Sequence, residues 1–255
     1  MRTLLPSRAG TRVNTNAVSV SVRNSDGPSF VPFHSHRWAQ LLYSSDGVLQ
    51  VTTELGIWMV PAKQAVWLPA ETRHEVMTRG AVSTHSLFFK PSKSAQMLRS
   101  CSVVTIPPLL HELILHASNM EVPDETGANE RLIEVILDQV KGLPPAPLFL
   151  PVTDDPRLRK IMDALQANPA DQRPLAGWGS IVGSSERTLA RQFLSCTGYT
   201  FGQWREKVRL LAALEGLADG QSVTSLAFDL GYQSQSAFIA MFKRSFGKTP
   251  GQFFR

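Results

Sequence analysis

One pattern occurs twice near the end of this chain. The segment Phe193–Trp204 reads F-L-S-C-T-G-Y-T-F-G-Q-W, and the segment Phe242–Phe253 reads F-K-R-S-F-G-K-T-P-G-Q-F. Their Phe, Gly, Thr, Gly and Gln positions match at an offset of 49 residues. A spaced match of this kind indicates that one structural unit is present in two copies.

The repeat extends upstream at an offset of 48 residues, where Gly179 matches Ala227 and Gly183 matches Gly231. A small residue followed four positions later by Gly allows one helix to pack closely on the next across a tight turn. Each copy is therefore predicted to be a short helix, a turn and a second helix. Two helix-turn-helix units predict a protein that binds double-stranded DNA.

Length and charge agree with this prediction. At 255 residues the chain is long enough for two domains with separate cores. From residue 151 onward it has 13 Lys and Arg against 9 Asp and Glu, so +4 of the net charge of +5 lies with the repeat. This excess is mild, and it is compatible with phosphate binding without establishing it.

The chain is expected to be cytoplasmic. Cys101 and Cys196 have no partner at metal or redox spacing, which is typical of a reducing compartment. No apolar run approaches the ~20 residues of a membrane span. The first residues, M-R-T-L-L-P-S-R, contain no apolar core of signal-peptide length. We therefore expect no membrane partner.

The first part of the chain is predicted to be all-β. Between residues 17 and 106 it contains short apolar runs such as A-V-S-V-S-V, V-L-Q-V-T-T and I-W-M-V, separated by D-G, L-G and P-A. Alternation at Val18, Val20 and Val22 is the period of a half-buried strand. Many short strands at regular spacing predict a barrel or a sandwich.

Two amphipathic helical patterns follow, over residues 108–118 and 129–141. They either cover the barrel or form the seam of a homodimer. Next comes G-L-P-P-A-P-L-F-L-P, whose prolines favour extended backbone. The predicted organisation is a β domain with two following helices over 1–141, a linker over 142–153 and an all-α domain over 154–255.

The second helix of the first unit, E-R-T-L-A-R-Q-F-L, is a candidate recognition helix. Arg187 and Arg191 lie one turn apart, with Thr188 beside them, on a different face from the apolar Leu189 and Phe193. Two arginines at this spacing on an exposed helix can bind guanine edges in the major groove. The alternative is an ordinary solvated basic face.

The second unit offers a different set of contacts. Gln235 and Ser236 lie in the first turn of its second helix, the end with which such helices contact bases. Lys243 and Arg244 follow further back and are expected to contact phosphates. The sequence W-R-E-K-V-R-L-L-A-A-L between the units predicts one helix that would hold the two recognition helices about one DNA turn (~34 Å) apart.

Residues 155–255, about two-fifths of the chain, resemble the DNA-binding domain of the AraC/XylS family of bacterial transcription regulators. The stretches S-S-E-R-T-L-A-R-Q-F and A-F-D-L-G-Y-Q-S-Q-S-A-F-I-A-M-F-K-R-S-F-G-K-T-P carry the resemblance. It implies promoter DNA contacted in two adjacent major-groove segments, with Arg187 and Arg191 at contacting positions. Many relatives carry Arg where this chain has Ala240, so base contacts by the second unit are expected to differ.

The β domain contains H34-S-H36-R-W-A-Q40, then Gly47 and, about forty residues after the first histidines, His74. These residues resemble the two motifs of the cupin fold, whose metal-binding members use three His and one Glu. The corresponding set here is His34, His36, Gln40 and His74, with an amide in place of the carboxylate.

Three imidazoles and an amide oxygen can hold a divalent transition metal such as zinc, nickel, iron or copper. The alternative is a barrel mouth in which the same histidines line a pocket for an organic ligand. His85 is a spare ligand candidate or an ordinary interior side chain. Trp38, Trp58 and Trp67 are expected in the core, unless one of them lines a pocket for a planar ligand.

The sequence thus favours a ligand-responsive transcription regulator. A small molecule or metal in the barrel would change promoter affinity or the recruitment of RNA polymerase. The competing hypothesis is a cupin-type metalloenzyme with an appended DNA-binding domain. A third is a DNA-binding protein with an inert barrel. Whether the chain activates or represses is left open.

Overall fold

The computed structural model describes residues 13–14, 18–120 and 127–253. The first eight residues, on which the expectation about a signal peptide depends, lie outside these ranges. The chain divides into two compact units. The first runs to Phe149 except for the turn Glu54–Ile57, and the second contains that turn and the chain from Leu150 onward.

The strands are short, and most of them follow the predicted apolar runs. Except for residues 56–57 and 150–151, they lie in the first unit. In chain order the strands are β1 (Val13–Asn14), β2 (Val18–Ser25), β3 (Ser29–His34), β4 (Ala39–Asp46), β5 (Val48–Thr53), β6 (Gly56–Pro61), β7 (Gln64–Leu68), β8 (His74–Thr78), β9 (Val82–Phe89), β10 (Ser102–Thr105) and β11 (Phe149–Pro151). They form a six-stranded sheet in the order β1-β2-β9-β4-β7-β10 and a five-stranded sheet in the order β11-β6-β5-β8-β3.

Antiparallel pairing gives the six-stranded sheet two different faces. β9 pairs with β2 on one side and with β4 on the other, so Val20, Leu87 and Leu41 lie in one row across the sheet. All three are buried on the outer face, against helices. Because side chains alternate along a strand, their neighbours in sequence point to the inner face, toward the second sheet.

The unit also contains the helices α1 (Pro91–Ser94), α2 (Pro108–Ser118) and α3 (Ala128–Lys141). Leu110 and Ile114 of α2, with Ile133 and Ile136 of α3, are buried in one apolar cluster with the outer face of the six-stranded sheet. Of the two interpretations of these helices, the covering role is therefore confirmed. A dimer seam remains available only to side chains on the opposite side of the helices.

The proline-rich segment is extended, as predicted, and part of it is packed onto the first unit. The amide of Ala146 donates to the carbonyl of Val103 at 2.7 Å, and the amide of Met59 donates to that of Leu148 at 2.9 Å. Leu148 is buried, and the Phe149 ring stacks on Trp58 with a centroid distance of 4.0 Å. These residues are thus an integral part of the β structure.

The second unit is helical, which completes the predicted fold class. Its helices are α4 (Pro156–Ala167), α5 (Leu175–Val182), α6 (Glu186–Thr197), α7 (Phe201–Ala218), α8 (Val223–Asp229), α9 (Gln235–Phe246) and α10 (Pro250–Phe253). The Asp155 side chain caps α4 by accepting from the amides of Arg157 and Leu158, and Pro156 occupies the first turn. Helices α5–α6 and α8–α9 are the two repeated units.

The turns of the two helix-turn-helix units, α5–α6 and α8–α9, close with the same hydrogen bond. In the first, the Ser184 amide donates to the Gly179 carbonyl at 3.0 Å; in the second, the Tyr232 amide donates to the Ala227 carbonyl at 2.9 Å. Gly183 has a φ of +66°, a left-handed conformation that ends α5 without the strain a side chain would add. The repeat in the sequence is therefore a repeat in backbone geometry.

Replacing Gly179 by Ala is expected to destabilise the helical unit by about 1–3 kcal/mol. A Cβ at this position would lie 2.4 Å from the carbonyl oxygen of Ser184, so the backbone of the turn would have to shift. The free energy of unfolding is measured by urea titration with circular dichroism.

The matched control is Gly202→Ala. A Cβ at Gly202, in the first turn of α7, would meet nothing within 4 Å, so this variant should be as stable as the parent or slightly more stable. Equal stability of Gly179→Ala and the parent would contradict the close approach inferred for the turn.

Candidate functional site

A cavity of about 590 Å³ lies between the two sheets of the first unit. It is lined by inward-facing residues of β2, β3, β4, β5, β8 and β9, including the hydroxyls of Ser21 and Thr84 and the apolar groups of Leu42, Val76 and Phe88. Pockets that hold small organic molecules have volumes of about 300–1,000 Å³ and a mainly apolar lining with a few polar groups. The cavity fits that description.

Three histidines converge at one part of the cavity wall. His34 ends β3, His74 begins β8, and the two are directly paired in the sheet. His36 lies beyond the end of β3, in the loop that leads to β4, and not on the strand itself. The ligand atoms of His34, His36 and His74 nevertheless lie within 4.8 Å of one another. The structure thus brings together the three histidines that the cupin resemblance singled out.

The backbone fixes the tautomer of each ring. Nδ1 of His34 lies 2.9 Å from the carbonyl oxygen of Pro32, Nδ1 of His36 lies 2.5 Å from that of Trp38, and Nδ1 of His74 lies 2.8 Å from that of Thr72. A carbonyl oxygen can only accept, so each Nδ1 carries the hydrogen and donates. The Nε2 atom of each neutral ring therefore has a lone pair that is available to a metal.

Gln40, on β4, completes this set. Its amide nitrogen donates to the Ser86 hydroxyl at 3.0 Å, which orients its Oε1 toward Nε2 of His36 at 3.0 Å. Because the hydrogen of His36 is on Nδ1, its Nε2 is an acceptor, and it faces a second acceptor, Oε1 of Gln40. Among the described residues, the buried Nε2 of His74 also has no hydrogen-bond partner. A cation bound by these atoms would satisfy all of them.

Burial keeps His74 neutral. It lowers the pKa of His74 to about 4; the hydrogen bond to the Thr72 carbonyl opposes this shift, and the neighbouring His34 and His36 add to it. The imidazole is therefore uncharged at neutral pH, which is the form that binds a metal ion.

His85 does not belong to this cluster. It lies on β9, and its Nδ1 is 3.0 Å from the hydroxyl of Ser118 at the end of α2, on the outer face of the sheet. Beside it, the hydroxyl of Tyr43 is 2.7 Å from Nδ1 of His111, also on α2. Burial, followed by the charge of Glu112, raises the pKa of Tyr43 to about 12. These contacts connect the barrel to its helical cover.

The three tryptophans of the β domain lie in two different environments. Trp58 and Trp67 are buried, as expected of core residues. Trp38 lines the cavity, and the ammonium group of Lys90 lies 5.6 Å from its ring centre.

One cavity residue, Arg23, was not predicted from the sequence. It follows Ser19 and Ser21 at two-residue spacing on β2, and all three line the cavity. The sequence signal is the alternation V-S-V-S-V-R, in which every second residue is polar. The prediction of a strand used the valines, and the polar positions also mark the face that lines the cavity.

In the second unit, α6 has the features of a recognition helix. Ser185 caps it by accepting from the Thr188 amide, and the Thr188 hydroxyl lies 2.9 Å from that of Ser185, so Thr188 supports the cap. Leu189 and Phe193 are fully buried, whereas Arg187 and Arg191 are exposed. Neither arginine forms an ion pair with a described residue.

The corresponding helix α9 begins at Gln235 after the cap Ser234. Gln235 accepts a hydrogen bond from the Thr224 hydroxyl of α8 at 3.1 Å, which leaves its amide hydrogens available. Ser236 and Lys243 are exposed. Arg244 differs from the expectation of a simple phosphate contact, because its guanidinium forms a 2.7 Å ion pair with Glu206 of α7.

The loop between α4 and α5 contacts both α7 and the turn of the second helix-turn-helix unit, α8–α9. Arg209 of α7 donates to the carbonyl of Pro169 at 2.9 Å. Gln172 donates to the carbonyl of Gly231 at 3.0 Å, and a Cβ on Gly231 would lie 2.9 Å from the carbonyl oxygen of Ala170. Direct contacts with this loop, in addition to the long α7 helix, therefore position α8 and α9 relative to α5 and α6.

Comparison with known proteins matches both units to known families. Residues 178–255 match the model described as a helix-turn-helix domain, and residues 17–172 match that of an AraC-like ligand binding domain. In the described part of the chain, no helix has the length and hydropathy needed to cross a membrane.

Two relatives by sequence agree with this assignment. The chain is 36% identical over 223 residues to the HTH-type transcriptional regulator NimR of Escherichia coli (strain K12), covering 87% of this chain and 81% of NimR. It is 39% identical over 97 residues to the HTH-type transcriptional regulator RipA of Corynebacterium glutamicum, covering 38% of this chain and 29% of RipA. Among solved structures, unsaturated fatty acid-bound ToxT from Vibrio cholerae aligns with 13% identity and a TM-score of 0.40 over 96% of this chain and 97% of ToxT.

Both halves of the chain thus match known families, the first as a ligand-binding domain and the second as a helix-turn-helix domain. One relative, NimR, is similar to this chain along most of its own length. The chain belongs to the AraC family of DNA-binding transcription regulators.

Proposed function

We propose that α6 and α9 bind two successive major-groove segments of promoter DNA and that a ligand in the β domain controls this binding. The observation that carries the proposal is the exposed pair Arg187 and Arg191 on α6, which has no partner among the described residues. A guanidinium group with no protein partner on a recognition helix is available to guanine edges.

The remaining contacts follow from the geometry of each side chain. Gln235 and Ser236 lie at the N-terminal end of α9 and are proposed to contact bases. Lys243 is proposed to contact phosphate. Arg244 is proposed to contact phosphate as well, while its ion pair with Glu206 fixes α9 on α7. Thr188 contributes by fixing the first turn of α6 and, through its exposed side, by contacting the DNA backbone. RNA polymerase is the partner that such a complex would recruit or exclude in the cytoplasm.

The cavity is the proposed effector site, because its volume suits a small molecule and its walls are shared with the covering helices. An effector that binds one conformation of the β domain more tightly than another shifts the population toward it, and thereby changes promoter affinity. Leu109 of α2 is 61% exposed and Val135 of α3 is 42% exposed. These apolar side chains are the proposed seam of a homodimer.

The histidine cluster is proposed to bind a divalent transition metal through Nε2 of His34, His36 and His74 and through Oε1 of Gln40. Zinc accepts this tetrahedral set, and nickel, iron and copper are chemically compatible with it. The support is the shared tautomer of the three rings and the acceptor pair at His36 and Gln40. The metal would stabilise the cavity wall.

An enzymatic role is less well supported than a regulatory one. Among the described residues that line the cavity, none is Asp or Glu, so no carboxylate stands beside the histidines as a general acid or base. Turnover of a small molecule by the full chain would favour the competing hypothesis of a metalloenzyme.

Replacing Arg187 or Arg191 by Ala is expected to weaken binding to the promoter by about 5- to 150-fold, because each change removes a base contact worth about 1–3 kcal/mol. If one of them binds phosphate instead, the salt dependence of log K should become shallower by about 0.9 for each phosphate that the variant no longer neutralises. Fluorescence anisotropy with the DNA upstream of the gene, at several salt concentrations, measures both quantities.

The control for this experiment is Arg99→Ala, which removes an exposed arginine between α1 and β10 in the other unit. Its affinity and salt slope should equal those of the parent. Unchanged affinity and slope in both α6 variants would show that these arginines do not contact DNA.

Protein purified without chelator is expected to contain about one metal ion per chain. His74→Ala and His34→Ala should each lose it, because each removes a ligand atom, and His34 is not a buried side chain whose removal would leave a cavity. The metal content is measured by inductively coupled plasma mass spectrometry, with His116→Ala on α2 as the control. Parent protein without stoichiometric metal would end the proposal.

Gln40→Glu is expected to raise the affinity for zinc, since a carboxylate replaces the neutral amide and restores the charge of the usual cupin set. Competition with a zinc-binding dye measures the affinity. An affinity equal to or lower than that of the parent would show that Gln40 is not a ligand.

A further inference from the structure

One permanently charged side chain, that of Arg23, lines the described part of the cavity. Among the described residues that line it, Arg23 is the sole Arg, Lys, Asp or Glu. No described residue forms an ion pair with Arg23. Arg23 is half-buried, and a guanidinium group that lines a cavity without a protein partner is available to an anion from outside the chain.

The strand geometry places further hydrogen-bond donors beside Arg23. Ser19 and Ser21 precede it on the inner face of β2, and neither hydroxyl has a hydrogen-bond partner among the described residues. Thr84 is the residue of β9 that pairs directly with Arg23, and its hydroxyl donates to the Arg23 carbonyl at 3.1 Å. One strand thus presents two free hydroxyls and a guanidinium in a row.

The cavity also offers apolar surface. Val31, Leu49 and Val76 of the five-stranded sheet provide it beside the polar Ser29 and Thr78, and Leu42 and Phe88 of the six-stranded sheet add to it. The volume of about 590 Å³ corresponds to about 20 water-sized groups at ~30 Å³ each. A fully hydrated inorganic anion would leave this apolar surface uncovered.

We propose that the effector site takes a small organic acid, whose carboxylate binds Arg23 and the Ser21 hydroxyl and whose apolar body covers Val31, Leu42 and Val76. The planar guanidinium matches a carboxylate with two parallel hydrogen bonds, which also orients the ligand. Arg23 is offset from the histidine cluster along β9, because it pairs with Thr84 whereas Gln40 pairs with Phe88, four residues further along that strand.

The test uses the full chain and three probe pairs, each a carboxylate and its primary amide: 3-phenylpropanoate, 2-naphthoate and decanoate. Isothermal titration calorimetry gives the dissociation constants. At least one acid is expected to bind about 10- to 100-fold more tightly than its amide, the range of a charge-assisted hydrogen bond. If no acid binds more tightly than its amide, the inference is overturned.

Variants assign the preference to Arg23. Arg23→Met keeps the aliphatic length and removes the charge, so the acid and amide should bind equally. Arg99→Met removes an exposed arginine outside the cavity and should preserve the preference. His34→Ala should also preserve it; loss there, with retention in Arg23→Met, would place the carboxylate on the histidine cluster and overturn the inference.

Two further arms separate the alternatives. Inorganic phosphate at equal ionic strength should not bind measurably, and binding comparable to that of the acids would show a site for free oxyanions. This inference rests on the proposed effector role of the cavity, but the two fail separately. If acids and amides bind equally and Leu42→Trp blocks both, the cavity remains an effector site without selectivity for acids.

Discussion

The first unit depends on one constraint, the strict alternation of side chains in a sheet whose two faces are both covered. On β2, Val18 and Val20 are buried against the helices, whereas Ser19, Ser21 and Arg23 face the cavity. A shift of the register by one residue would place the arginine among α2 and α3 and the valines in the cavity. Apolar packing on the outer face therefore determines which polar groups face the cavity.

The second unit depends on a close approach of backbones. Gly179 and Ala227 occupy equivalent places, and each accepts a hydrogen bond from the amide five residues later. Helices α6 and α9 consequently leave their turns in the same way. The loop contacts of Arg209 and Gln172 then position the second helix-turn-helix unit relative to the first, so the spacing of α6 and α9 is a property of several hydrogen bonds as well as of α7.

What the sequence predicted was local, and what it missed depends on pairing between distant residues. The buried Leu189 and Phe193 and the exposed Arg187 and Arg191 follow from spacing along one helix, and the structure agrees with them. The inward position of Arg23 requires the pairing of β2 with β9, and the pair between Arg244 and Glu206 joins residues 38 positions apart. The gathering of the histidines was suggested by a family resemblance, but their common tautomer depends on loop carbonyls that no spacing rule specifies.

The inner and outer faces of the six-stranded sheet share the same strands. Leu42 of β4 and Ser86 of β9 line the cavity, while the adjacent Tyr43 and His85 are hydrogen-bonded to His111 and Ser118 of α2. A molecule that displaces either strand must therefore move the atoms that hold the helix. A displacement of either strand would thus reach the helix through the thickness of a single polypeptide segment, without a chain of intervening side chains.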